Sequence, residues 1–166
     1  MTRATLIDGL GLSIRAALAA GIALGTARLL RLPHAVFAMI AAVVVTDVTA
    51  AKTWELSMPR LTGTVLGAAL GAAIDSFASH SAWVIAVTIL AAMFITQLLS
   101  LPDSAKVAGY VCGIIVLSQD DNPWSYSLYR VAETTLGILA AALVSLVPKL
   151  VKLDQPKPPN QYQSGT

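Results

Sequence analysis

The chain has 166 residues, of which 56% are hydrophobic and 12% charged, and its net charge is only +2. A soluble globular domain carries about 25% charge, so most of this chain is expected to be solvated by lipid. The small positive balance, without interleaved basic and aromatic residues, excludes nucleic acid as a partner, and a lone cysteine, Cys112, excludes an internal disulfide or a cysteine metal cluster.

A membrane-crossing helix needs about 20 largely apolar residues. The first candidate covers residues 10–30, with Ala17, Gly21 and Gly25 spaced so that another helix can approach closely. Arg15 lies in its first turns, and Arg28 and Arg31 mark its far end. Pro33 breaks the chain, since proline can start a helix but cannot continue one. The second segment, residues 35–48, is short. The third, residues 60–77, carries Gly63, Gly67 and Gly71 on one stripe. A polar connection at residues 76–81 follows, and the fourth segment covers residues 82–99 until Pro102 and Asp103 interrupt it. The fifth, residues 107–117, is again short and ends in a polar stretch that includes Asp120 and Pro123. The sixth, residues 129–147, stops at Pro148. Because apolar runs continue to Val147, a cleaved leader followed by a soluble domain is excluded. Residues 1–148 are thus expected to form one membrane domain, and residues 149–166, polar and proline-rich, a disordered cytoplasmic tail.

The chain also repeats itself. Residues 54–67 align without a gap on residues 124–137, with six identities in fourteen positions: Trp54 with Trp124, Ser57 with Ser127, Arg60 with Arg130, Thr64 with Thr134, Leu66 with Leu136 and Gly67 with Gly137. With one residue of slip, Leu29–Pro33 aligns on Leu98–Pro102. Residues 12–77 and 81–147 therefore read as two copies of a three-segment unit. An odd number of spans per copy inverts the second copy in the membrane, the inverted-repeat plan of many transporters. The expected fold is an all-α integral membrane protein with six transmembrane helices in two inverted three-helix repeats. Eight Lys and Arg near the ends that face one side, against Arg28, Arg31 and Arg130 on the other, place both termini in the cytoplasm.

The stretches RLPHAVFAMIAAVVV, Trp54 to Gly67 and Arg130 to Gly137 resemble the FUSC superfamily, which includes fusaric acid resistance proteins, bacterial aromatic acid exporters and, more distantly, plant aluminium-activated malate transporters. The resemblance covers about residues 10–147. It implies an inner-membrane protein that moves small organic anions such as aromatic carboxylates. Many members carry a large cytosolic domain or a duplicated membrane unit, whereas this chain reads as one membrane unit. The competing reading is therefore a non-transporting membrane subunit that anchors or scaffolds a larger complex.

Arg60 and Arg130 are the leading candidates for an anion. A charged side chain inside the bilayer costs about 2.5–3.5 kcal/mol on insertion scales, so it tends to face a polar path or a partner. Arginine also holds carboxylates through two parallel hydrogen bonds. Inversion places Arg60 near the inner end and Arg130 near the outer end of such a path. The alternative is that both start helices at the interface and snorkel to water. Arg15 is a third candidate or an orientation signal. Trp54 and Trp124 fit an interfacial belt or an aromatic substrate, and Thr64 and Thr134 fit helix back-bonding or interhelical bonds. Asp47 and Asp120, at the ends of the two short segments, are polar groups able to line water. Glu133, three residues after Arg130, suits a local ion pair. His34 and His80 read as interfacial residues. No catalytic motif occurs, so no enzyme activity, cofactor or metal is expected. The plentiful small-residue stripes suggest a homo-oligomer, most simply a two-fold dimer.

Overall fold

The computed structural model describes residues 3–77, 81–118 and 120–147, with side chains from residue 9 onward. The proline-rich tail, His80 and Gln119 lie outside the described residues. Six α-helices form, and no strand occurs among the described residues: α1 (Arg3–Leu29), α2 (Val36–Val45), α3 (Ala50–Asp75), α4 (Ala82–Leu98), α5 (Pro102–Ser118) and α6 (Pro123–Ser145). The expected all-α fold with six elements is what the chain adopts. The sequence from Gly9 to Leu29 and that from Pro123 to Ser145 are each long and apolar enough to cross a bilayer, and α2 and α4 are shorter apolar helices.

Besides α1, which begins at Arg3, three helices begin earlier than hydropathy indicates. At α3 the side chain of Thr49 caps the first turn by accepting from the Lys52 N–H, so the helix starts ten residues before Arg60. Pro59 lies within α3 and leaves the helix one backbone donor short. At α6 the Asn122 side chain accepts from the Ser125 N–H and Pro123 occupies the first turn. At α5, Pro102 starts the helix and Asp103 in its first turn favours the positive end of the dipole. Consequently α5 has 17 residues, as α4 has, whereas α2 has only 10. The expected fifth segment, residues 107–117, is thus corrected to a helix that starts five residues earlier, and the two helices in matching places differ in length. Capping and proline placement start a helix through polar residues that an apolar window discards.

The ends of α1 and α4 are built alike. Arg31 and Ser100, aligned in the two copies, are the two non-glycine residues with positive φ among the described residues, at 54° and 60°. Around each, the next residue's N–H donates five positions back, Leu32 to the Ala27 carbonyl at 3.0 Å and Leu101 to the Thr96 carbonyl at 3.2 Å. The residue itself donates to the carbonyl three back, Arg31 to Arg28 and Ser100 to Gln97. Each is a Schellman end, followed by the proline that prevents further helix.

Small residues make the packing. α3 lies along α5, where Gly63 faces the Ser104 carbonyl and Val107, Gly67 faces Ala108, and Gly71 faces Ile115. A Cβ at Gly67 would stand 2.5 Å from the Ala108 carbonyl oxygen. α6 lies along α2 in the same way, with Gly137 against the Ala38 carbonyl and Ala41. α3 and α6 run antiparallel against each other, since Thr53 meets Ser145 at 3.0 Å and Ser127 donates to the Ala68 carbonyl at 3.1 Å. α1 packs on α2 and α6, and α4 packs chiefly on α5. The interior is correspondingly alanine-rich, with Ala19, Ala23, Ala38, Ala42 and Ala141 in one cluster. Large apolar side chains point outward instead; Trp83, Leu90, Phe94 and Leu143 are each more than half exposed.

Candidate functional site

Both repeated arginines lie deep in their helices. Arg60 is the eleventh of the 26 residues of α3, and Arg130 is the eighth of the 23 of α6. The expectation that each sits at a helix entrance, one at either mouth of a path, is therefore corrected. The reason is the early capping by Thr49 and Asn122, which carries both helices outward past the arginines.

They converge on a polar cluster where α2, α3, α5 and α6 meet. The Arg60 guanidinium lies over the Tyr110 ring of α5, with Cζ 5.3 Å from the centroid. The Arg130 guanidinium lies over the Phe37 ring of α2 at 3.1 Å, a cation–π contact. Tyr110 is close enough to interact electrostatically with both guanidiniums, and Arg130 with Arg60. Arg130 is only 4% exposed and Glu133 is fully buried. At the entry to α2 the His34 ring meets Tyr126 edge-on at 4.8 Å, and the His34 backbone N–H donates to Glu133 Oε1 at 2.8 Å.

Among the described residues, the buried side-chain nitrogen and oxygen atoms without a hydrogen-bond partner are Arg60 Nε, Arg130 Nε and Nη1, Tyr110 Oη and Glu133 Oε2. All belong to this cluster. Buried polar atoms in native proteins are nearly always paired, because an unmet one costs about 1–3 kcal/mol. Five unmet atoms in one place make this cluster the candidate site. Four of the five are donors, which suits a ligand made of acceptors.

The expected local pair between Glu133 and Arg130 does not form. Glu133 turns to the backbone N–H at the start of α2, where the amides not yet used by the helix attract a carboxylate. Lys52 and Glu55 form an exposed ion pair, 3.0 Å apart. A cleft of about 330 Å³ opens beside Arg60, with Pro59, Val107, Asp103 and Glu55 among its lining residues.

The remaining candidates fall elsewhere. Thr64 is buried one turn from Arg60 and donates to the Arg60 carbonyl at 2.8 Å, so it back-bonds its own helix. Thr134 is buried beside Glu133. Arg15 is remote from the cluster: its Nη1 donates to the Val48 carbonyl at 2.6 Å and ties α1 to the turn after α2. Asp47 shapes that turn, its Oδ1 accepting from the Val48 N–H at 2.7 Å. Asp120 is exposed and accepts from the Asn122 N–H at 3.1 Å ahead of α6. Trp54 and Trp124 point outward, each more than half exposed. Tyr110, Phe37 and His34 join the site although none was a candidate for it. Nothing marks Tyr110 or Phe37 within an apolar run, whereas Glu133, a lone carboxylate in mid-helix, was a visible signal. No group of three or more potential metal ligands occurs among the described residues.

No curated protein and no solved structure matches the chain. The family model described as fusaric acid resistance protein-like matches residues 19–144, from within α1 almost to the end of α6, and so contains the whole cluster. The chain belongs to this family, FUSC, a membrane-associated family of transporters.

Proposed function

We propose that this chain carries small organic anions, aromatic carboxylates foremost, across a bacterial inner membrane, with Arg60, Arg130 and Tyr110 holding the carboxylate. The observation that carries the reading is the convergence of four unpartnered buried donor atoms from those three side chains. A carboxylate accepts up to about four hydrogen bonds, and guanidiniums recognise it through charge and planar geometry together. The cleft beside Arg60 supplies an approach from one side. The family's description points to an aromatic acid as well.

The membrane plan is part of the proposal: six spans in two inverted repeats, both termini cytoplasmic. An alanine and glycine interior wrapped in exposed Leu, Phe and Trp suits lipid. The exchange of α1–α2–α3 with α4–α5–α6 returns the same pattern of neighbours, with α3 on α5 matching α6 on α2, and the Schellman ends at Arg31 and Ser100 match too. With Trp54 and Trp124 at the two interfaces, each arginine lies six residues along its helix, about 9 Å deeper. That depth suits an internal site better than an anchor. A two-fold dimer stays part of this reading, but the α3 glycine stripe is used within the chain, so the face for a second copy is the one on α1 bearing Gly21 and Gly25, which have nothing within 4 Å.

The test is uptake of radiolabelled benzoate into liposomes containing only this protein. The wild type is expected to conduct. Arg60→Gln and Arg130→Gln should each lower flux, and Arg→Lys should restore it only in part. Normal flux in a folded Arg60→Gln/Arg130→Gln variant would return both arginines to a structural role.

A further inference from the structure

The cluster holds four donors and one acceptor, and the acceptor is out of place. Glu133 Oε2 is buried, has no hydrogen-bond partner, and shares its surroundings with Arg130 Nε and Nη1, which also have none. Its other oxygen is pinned by the His34 N–H at 2.8 Å, so the carboxylate cannot swing onto Arg130 without releasing α2. In the aligned copy the corresponding residue is Gly63, so the acid is present once. An arriving carboxylate offers only acceptors and a negative charge. It complements the four donors and is repelled by Oε2.

We propose that Glu133 is the proton-binding group of this site, taking up a proton as an organic carboxylate occupies the two guanidiniums. The inference rests on the anion reading above. A proton on Oε2 converts the one mismatched atom into a fifth donor and removes the like charge in one step, while the bond from His34 to Oε1 is kept. The arginines cannot make this adjustment, because a guanidinium stays charged in proteins. Other titratable and charged groups stand around it on every packed element. Arg130 and Tyr126 share α6, His34 leads into α2, Arg60 comes from α3 and Tyr110 from α5. Asp120 acts on Tyr126 from the turn before α6. From α1, Arg15 is engaged by Val48, and Arg28 and Arg31 are exposed. His34 gives Glu133 its backbone N–H, and its ring lies edge-on against Tyr126.

Proton and anion binding are then reciprocally linked. The experiment is calorimetric titration of the purified full chain with benzoate, from about pH 5.5 to 8.5, where benzoate stays ionised as a carboxylate of ordinary pKa. The wild type should bind more weakly as pH rises, approaching about tenfold per unit as one proton is taken up per anion. Glu133→Gln keeps the acceptor for His34 and adds a permanent donor, so it should bind tightly with no pH dependence. His34→Gln should retain the wild-type slope. A slope that survives in Glu133→Gln, or vanishes in His34→Gln, overturns the assignment. A flat wild-type profile overturns it too, while leaving the anion site intact. Absence of benzoate binding at every pH removes the anion site and this inference with it. Should Glu133→Gln fail to fold, wild-type titrations in two buffers of different ionisation heat decide the matter: uptake near one proton supports the assignment, and none refutes it.

Discussion

Replacing Gly67 by alanine tests whether the glycine stripe of α3 is a contact within the chain. A Cβ there would stand 2.5 Å from the Ala108 carbonyl oxygen, 2.9 Å from Ala108 Cα and 3.0 Å from Val111 Cβ, where ordinary contact begins at 3.4 Å. Two of these atoms are backbone and cannot rotate away, so α5 must retreat by nearly an ångström. A stiff helix retreats as a unit, which also opens the contacts at Gly63 and Gly71. Overpacking of this kind costs about 1–3 kcal/mol, offset by up to about 1 kcal/mol of better helix propensity. The net loss of about 1–2 kcal/mol corresponds to roughly 2–8 °C for a chain of this size. Gly25→Ala is the internal control. It makes the same chemical change where nothing lies within 4 Å, so it should be neutral or gain about 0.5–1 kcal/mol. Surviving monomer or oligomer peak area after a heating series in detergent reads both. The reasoning is refuted if Gly67→Ala melts at or above wild type, or if Gly25→Ala loses as much.

Arg31→Gly and Ser100→Gly should each stabilise the fold by about 0.5 kcal/mol, since glycine relieves the left-handed backbone costing roughly 1–2 kcal/mol but loosens the unfolded chain; the same melts should show no gain for alanine at either place. Arg15→Leu should cost about 2 kcal/mol by leaving the Val48 carbonyl unmet, yet leave benzoate flux per folded molecule unchanged, the opposite of Arg130→Gln; a flux defect at unchanged stability would bring Arg15 back into the site. Cysteines placed at Thr2 and Ser164 in a Cys112→Ser background should label only from the cytoplasmic side, while native Cys112, fully buried between helices, should resist labelling until the protein is denatured.

Helix count, the doubling of the unit and the two arginines were legible from the sequence because each is recorded locally. Apolar runs separated by Pro33, Pro102 and Pro123 define elements, and Trp, Arg and Thr recurring at fixed spacing define a repeat. Helix starts were less legible. Thr49 and Asn122 are cap residues of a common kind, but the turns they open are polar, and a window tuned to hydropathy skips them. That displacement alone moved Arg60 and Arg130 from helix entrances to mid-helix.

The sequence by itself determined the all-α class, the six-element count and the alignment of Arg60 with Arg130, since periodicity and spacing need no knowledge of contacts. The glycine stripe was also visible there, but its partner was not. Whether Gly67 meets a second copy or α5 depends on which helices cross, and the structure answers with Ala108 of the same chain. The cluster itself belongs to the tertiary structure. Glu133 and His34 are 99 residues apart, and Arg60 meets Tyr110 from the neighbouring helix α5, so no local pattern records their meeting. What joins them is the crossing of α2, α3, α5 and α6 at glycine and alanine contacts close enough to bring long polar side chains into one buried volume. That packing is a property of all four helices at once.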